Sequence, residues 1–204
     1  SATGQYTSRY TPFTIVEAFY MFRDLDHMMK FYESDSHQTL VDGLAEACNV
    51  NILADLYYGA RQMTTSGKAL KTADDLAGLK MRAANEPLPI AAFTQLGASP
   101  TPIAYNETNL ALQQHTVDGQ ENPIAIIETA KVYEVQKYVS MIDLFYSPCV
   151  LMISQTSYDG LTDAQREAFD RAEVEARDNQ REYSRNYGEE AIGRMEEAGV
   201  GITE

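Results

Sequence analysis

The sequence predicts an α/β fold, and three observations carry that expectation. Short apolar runs that read as strands alternate with helical patterns across short loops. The stretch from Gly97 to Pro123 reads as a short strand, a short helix, and a tight strand running straight into another helix. From Thr162 to Gly199 one helical pattern persists, roughly 50 Å long at ~1.5 Å per residue. That is too long for one compact lobe. The 204 residues suffice for one large domain or two small lobes, so this helix should lie across two lobes or break near Gly188.

In chain order, Phe13-Thr14-Ile15-Val16 reads as extended, with Pro12 ahead of it. Asp24 caps a helix whose apolar area comes from Met28, Met29, Phe31 and Tyr32. A second helix spans about Ser36 to Cys48, with Leu40, Val41, Leu44 and Cys48 at helical spacing and Asn49 closing it in the left-handed conformation. Ile52 to Tyr58 reads as a buried strand leading to Gly59-Ala60-Arg61, and Thr64-Thr65-Ser66-Gly67 as a turn. Asp74 to Arg82 is a helical turn feeding a strand that ends at Arg82, and Pro87 to Leu96 a helix stopped by Gly97. In the central stretch, Asn106 is placed to cap the short helix, Gly119 to allow a tight turn, and Asn122-Pro123 to start the next helix, which runs to about Lys131. Polar groups at these helix starts would favour a bound anion. Val132 to Gln136 has mixed character, and Pro148 precedes the strand Cys149 to Ser154. The final helix opens on a Thr162/Gln165 capping box and carries an apolar stripe of Ala164, Ala168, Ala172 and Ala176, thickened by Phe169. Glu167–Arg171 and Glu173–Arg177 are spaced as ion pairs on its wet face. The strand–helix–strand order implies sheets that are at least partly parallel.

Composition narrows the function. A formal net charge of −14 and a pI near 4.6 argue against a nucleic-acid partner and against adhesion to anionic lipid. No apolar run approaches the ~20 residues that span a bilayer, so no membrane insertion is expected. Cys48 and Cys149 sit in apolar surroundings and read as buried free thiols, a Cys48–Cys149 bridge being the alternative. His27, His37 and His115 share no ligand spacing, and Asp24-Leu25-Asp26-His27 reads as a cap with first-turn acids, so no metal site is expected. No Gly-rich phosphate loop or nucleophile elbow is present, and no cofactor is expected. Asp118 and Glu121 read as structural carboxylates, one meeting backbone groups at a strand end and the other at a helix start.

Against this acidic background two arginines stand out. Arg82 ends a strand, where open α/β sheets place ligands, and Arg61 follows another strand. A guanidinium can give a carboxylate two parallel hydrogen bonds, which lysine cannot. For either arginine alone, a surface ion pair is the alternative reading.

Tyr105, Leu112-Gln113 and the run Val117-Asp118-Gly119-Gln120-Glu121-Asn122-Pro123 together resemble the core of the solute-binding proteins of TRAP transporters, the DctP family. The resemblance extends from about Phe13 to the C-terminus and is strongest between Asp75 and Ser154. It implies a two-lobed, periplasmic-binding-protein-like (Venus-flytrap) α/β fold. Residues 1–58 and 148–187 would form lobe I and 59–147 lobe II, with the long helix across the lobes and 188–204 packing on lobe II. It also implies a chain that lacks the family's opening strand–helix–strand portion and stops short of its end.

The implied function is capture of a small organic acid (a sugar acid, a dicarboxylate or similar) in the periplasm, in a cleft between lobes, followed by delivery to the permease subunits of the transporter in the membrane. By the family's pattern, Arg82 clamps the ligand's carboxylate, Asn122 faces the same carboxylate, and Tyr105 packs against the ligand. Arg61 matches a second arginine and Asn85 a pocket-lining asparagine. The family's Val-Pro after the clamp is Ala83-Ala84 here, and Met63 stands as an extra residue beside Arg61. An enzyme using Arg82 to anchor a carboxylate substrate, with Asp118 or Glu121 as base, is the rival reading, to which the resemblance lends nothing.

Overall fold

The computed structural model describes residues 4–204. Helix α1 (Gly4–Thr7) and a 3-10 helix (Thr11–Glu17) precede α2 (Leu25–Tyr32) and α3 (Asp35–Cys48). Strand β1 (Val50–Thr65), a 3-10 turn (Ala73–Leu76), β2 (Lys80–Ala83), α4 (Pro87–Gln95) and β3 (Ser99–Pro102) follow. A 3-10 turn (Tyr105–Glu107), α5 (Thr108–Gln113), β4 (Gly119–Pro123), α6 (Ile124–Thr129) and another 3-10 turn (Val132–Glu134) lead to β5 (Tyr138–Ser140). The chain finishes with β6 (Tyr146–Ser154), α7 (Gln155–Asp159), α8 (Asp163–Glu197) and β7 (Gly201–Thr203). The fold is mixed α/β. It divides into two compact units, one running to Gly59 and taking in Phe145–Asn186, the other holding Ala60–Leu144 and Tyr187–Glu204.

In the first unit, α3 shows its ends in the sequence. The Ser34 side chain accepts from the His37 N–H, and Asn49 closes the helix in the left-handed region at φ 54°. Asp24 caps α2 in the same manner, 2.7 Å from the His27 N–H. The segment expected to be extended around Phe13 is instead a 3-10 helix. Its three-residue turn brings Phe13 and Val16 to one side, and both are buried against Leu44 and Val150. Cys48 and Cys149 are free and half-buried.

The sequence places the inward face of α8 on its alanines; the structure turns those alanines outward. Ala164, Ala168, Ala172 and Ala176 are exposed, while Arg177, Gln180, Arg181 and Ser184 are half-buried. The reason is what this stretch of α8 packs against: backbone N–H and carbonyl groups of β1. The Gln180 amide donates to the Tyr57 carbonyl at 2.7 Å, and its oxygen accepts from the Tyr57 N–H at 3.0 Å. Arg181 donates twice to the Asp55 carbonyl, at 3.2 and 2.7 Å. Polar side chains therefore face inward to satisfy a strand edge. Arg177 pairs with its neighbour Asp178 at 2.9 Å rather than with Glu173. The expected capping box is present: the Thr162 N–H reaches Gln165 Oε1 at 2.9 Å, and the Gln165 N–H reaches Thr162 Oγ1 at 3.3 Å. The helix is unbroken at Gly188 and ends before Gly199, at φ 88°.

The second unit is built on six strands in the order β3-β2-β4-β1-β5-β7. Strand β1 continues past the expected stop at Gly59, which sits within it at φ 124°, a backbone value glycine tolerates. Its later part pairs antiparallel with β4 and β5, placing Thr64 opposite Gln120 and Gln62 opposite Asn122. Strands β2 and β4 are parallel, with Met81 beside Gly119. Gly119 is required by close approach rather than by a turn: a Cβ there would stand 2.2 Å from the Thr64 carbonyl oxygen. One core cluster gathers Leu112, Val117, Ile124, Ile127, Val132 and Val139 with Ala191, Met195 and Val200.

Candidate functional site

Five buried residues in a row, Gly119–Pro123, carry three polar side chains into the interior of the second unit. Neither Asn106 nor Asn122 caps a helix; the starts of α5 and α6 make no side-chain cap bond. Pro123 fixes an extended backbone at φ −60°, ψ 150°, and leaves Asn122 inside β4 with its side chain turned to other work.

That work is shared with Arg61. Arg61 and Glu121 form an ion pair that is 5% and 3% exposed, Nε meeting Oε2 and Nη2 meeting Oε1 at 3.0 Å. This is the bidentate geometry of a guanidinium on a carboxylate. The same Nη2 reaches the Glu121 carbonyl at 3.1 Å and Asn122 Oδ1 at 3.1 Å. Glu121, expected at a helix start, is therefore the buried counter-charge of Arg61. Asp118 does meet backbone at a strand end, accepting the Lys80 N–H at 2.8 Å.

Arg82, at the penultimate position of β2, is 4% exposed. Its Nε donates to the Ile103 carbonyl at 2.9 Å. Among the described residues, no carboxylate lies within ion-pair distance of it; Glu121 and Glu86 act on it only through space. Burial pushes the Arg82 guanidinium below its ordinary value, Arg61 adds to that, and the two glutamates and Tyr105 oppose it. Tyr105 stands on the 3-10 turn before α5, 52% exposed. Asn85 is exposed on the bend after β2. The structure thus joins Arg61 to Asn122 directly and sets Arg82 in the field of Arg61, Glu121 and Tyr105. Asn85 makes no side-chain hydrogen bond among the described residues. No group of three or more His, Cys, Asp or Glu side chains that could hold a metal occurs among them either, and no helix among them is long and apolar enough to cross a membrane.

A model of the bacterial extracellular solute-binding proteins, family 7, named DctP, matches residues 1–204. The chain belongs to the DctP family. Among DctP relatives, the 2,3-diketo-L-gulonate-binding periplasmic protein YiaO of Escherichia coli K12 is 36% identical over 90% of this chain and 56% of its own length. The sialic acid-binding periplasmic protein SiaP of Vibrio cholerae is 33% identical over 90% of this chain and 57% of its own. A TRAP periplasmic solute-binding protein from Polaromonas sp. JS666, solved bound to D-erythronate, superposes with a TM-score of 0.92 at 34% identity, over 99% of this chain and 66% of that one. The chain thus spans a little over half the length of these two curated DctP relatives.

The residues behind the arginines escaped sequence reasoning. Gln120 Nε2 donates to Thr64 Oγ1 at 3.0 Å, and Thr64 Oγ1 donates to Gln136 Oε1 at 3.1 Å; all three side chains are buried. A signal existed. Gln120, Glu121 and Asn122 are consecutive polar residues in a DctP segment read as a strand, where alternation calls for apolar ones.

Proposed function

We propose that this chain captures a small organic acid as part of the periplasmic solute-binding protein of a TRAP transporter. Arg82 grips the carboxylate with two charge-assisted hydrogen bonds, Asn122 adds a neutral donor, and Tyr105 forms an apolar wall. Arg61 is the site's second arginine, and Asn85 lines the pocket. The observation that carries this reading is the contrast between the two arginines. Arg61 is neutralised by Glu121, while Arg82 is equally buried and has no carboxylate within ion-pair distance among the described residues. A buried cation without a counter-charge is costly, and a ligand carboxylate offsets that cost. The relatives support a sugar acid: 2,3-diketo-L-gulonate for YiaO, sialic acid for SiaP and D-erythronate for the Polaromonas protein are all carboxylates on polyhydroxylated chains or rings. The acid leaves unchanged, handed to the membrane permease subunits of the transporter rather than turned over.

Thermal unfolding against a panel of sugar acids and dicarboxylates tests this, with Arg82→Ala beside the wild type. A ligand at a hundredfold excess over its dissociation constant stabilises by about 2.7 kcal/mol, a rise of roughly 5–10 °C for a chain of this size. The shift should appear with one class of acid, vanish in Arg82→Ala, and leave the acid chemically intact. A shift that survives Arg82→Ala rejects the clamp.

A further inference from the structure

The chemistry of Arg61 imposes a direction on the buried polar side chains behind Asn122. A guanidinium has donors and no acceptor, so the Asn122 atom 3.1 Å from Arg61 Nη2 is the amide oxygen. Asn122 Nδ2 therefore points the other way and donates to Gln120 Oε1. Having accepted there, Gln120 donates its Nε2 onward to Thr64 Oγ1 at 3.0 Å. The Thr64 hydroxyl donates its single O–H to Gln136 Oε1 at 3.1 Å. The Gln136 amide nitrogen ends the series on the Val135 carbonyl at 3.2 Å. Each step runs from donor to acceptor, away from Arg61. The reverse direction would require Arg61 to accept. The four side chains from Asn122 to Gln136 are 0–4% exposed, so water does not compete for these bonds. The series crosses from β4 to β1, where Gln120 and Thr64 are register partners, and on to the segment entering β5.

We propose that this relay is the positioning device of the anion site, with Arg61, Gln120, Thr64 and Gln136 holding the Asn122 amide in the one orientation that offers a carboxylate an N–H. This rests on the carboxylate capture proposed above. Asn122 Nδ2 carries two hydrogens; one is spent on Gln120 and the other is presented to the ligand. An Asn122 turned over would present its oxygen and repel a carboxylate. The relay therefore selects a hydrogen-bond acceptor such as a carboxylate over a cationic group, which has donors only, and Gln120, Thr64 and Gln136 act through Asn122 without touching the ligand.

The test uses ¹⁵N-labelled chain carrying Thr64→Val, Thr64→Ser or Gln136→Met, with Asn122→Asp to assign the Asn122 side-chain amide signal. Hydrogen exchange at that amide and calorimetric titration with D-erythronate, 2,3-diketo-L-gulonate and sialic acid are read together. Thr64→Val and Gln136→Met should each speed exchange about tenfold and weaken the bound acid about fivefold, the loss of one buried hydrogen bond. Thr64→Ser, which keeps the hydroxyl, should stay within about twofold of wild type in both. Gln136→Met carries the test if Thr64→Val fails to fold. Unchanged exchange in these variants overturns the relay, and faster exchange with unchanged affinity overturns its positioning role. Binding lost in Arg82→Ala but untouched in Thr64→Val and Gln136→Met sinks the inference alone. Failure of the wild type to bind any of the three acids sinks the carboxylate capture and the positioning role with it.

Discussion

His37 and Asp55 lie in the first unit with Nε2 and Oδ1 3.6 Å apart, too far for a hydrogen bond, and neither atom has a hydrogen-bond partner among the described residues. Burial dominates both. It lowers His37 to about 4, helped by Arg181, while Tyr32 opposes through a backbone hydrogen bond. It raises Asp55 to about 6, against the pull of Arg181 and Arg177. The linkage signs oppose. Asp55, raised, stabilises the fold at low pH and loses that contribution as pH climbs through about 6. His37, lowered, costs stability as pH falls from its ordinary value towards about 4. Between about pH 4 and 6 the unfolded pair holds one proton, on His37, and the folded pair also holds one, on Asp55, so their contributions cancel. Single substitutions should break the cancellation. His37→Gln should lose about 2 kcal/mol as pH rises from 4 to 6, and Asp55→Asn should gain about as much over the same range. Urea midpoints across that range check both; two variants with profiles parallel to wild type would show that burial does not set these pKa values. None of this was legible in the sequence, where His37 is one of three scattered histidines and Asp55 a polar residue in a strand. The pairing exists only once α3 lies beside β1.

At the scale of elements, legibility followed locality. Most caps and stops depend on a few neighbouring residues, and Asp24, Asn49, Gly97, the Thr162/Gln165 box and Gly199 stand where the sequence put them. Asn106 and Asn122, drawn instead into the turn before α5 and into β4, do not cap, and β1 runs on through Gly59. Arg82 at a strand end was legible for the same reason. Faces and partners depend on what arrives from elsewhere in the chain. The alanine stripe of α8 looked like a core face by period alone, but α8 meets backbone N–H and carbonyl groups of β1, and polar side chains bond to them. Glu121 and the relay were hidden likewise, since buried polar side chains in β4 need partners from β1 and from the entry to β5. Removing such a partner should cost more than changing the stripe. Gln180→Leu leaves the Tyr57 N–H and carbonyl without their side-chain partner and should destabilise by about 1–3 kcal/mol. Ala168→Ser, on the exposed stripe, should stay within about 0.5 kcal/mol. Chemical denaturation of the two variants side by side measures this, and equal costs would contradict the inward polar face of α8.

At the scale of the whole molecule, the net charge and the site pull in opposite directions. The chain carries −14, yet the proposed ligand is an anion and the proposed clamp a single arginine. Fourteen net charges act on a monoanion about 20 Å away with roughly 3 kcal/mol of repulsion in unscreened water. Raising ionic strength from about 0.01 to 0.15 M shortens the Debye length from ~30 to ~8 Å and removes most of that repulsion during approach. The contact between Arg82 and a carboxylate is short-ranged and buried, so salt weakens it much less. Association of a sugar acid should therefore accelerate with salt, by about fivefold over this range, while dissociation stays nearly constant. Affinity would improve as salt is added, the reverse of the usual behaviour of a cationic site. Stopped-flow binding of D-erythronate at several salt concentrations reads the sign directly. An association rate that falls with salt would mean that the field of Arg82 outweighs the net charge, and that the acid is steered into the site rather than arriving against the field of the molecule.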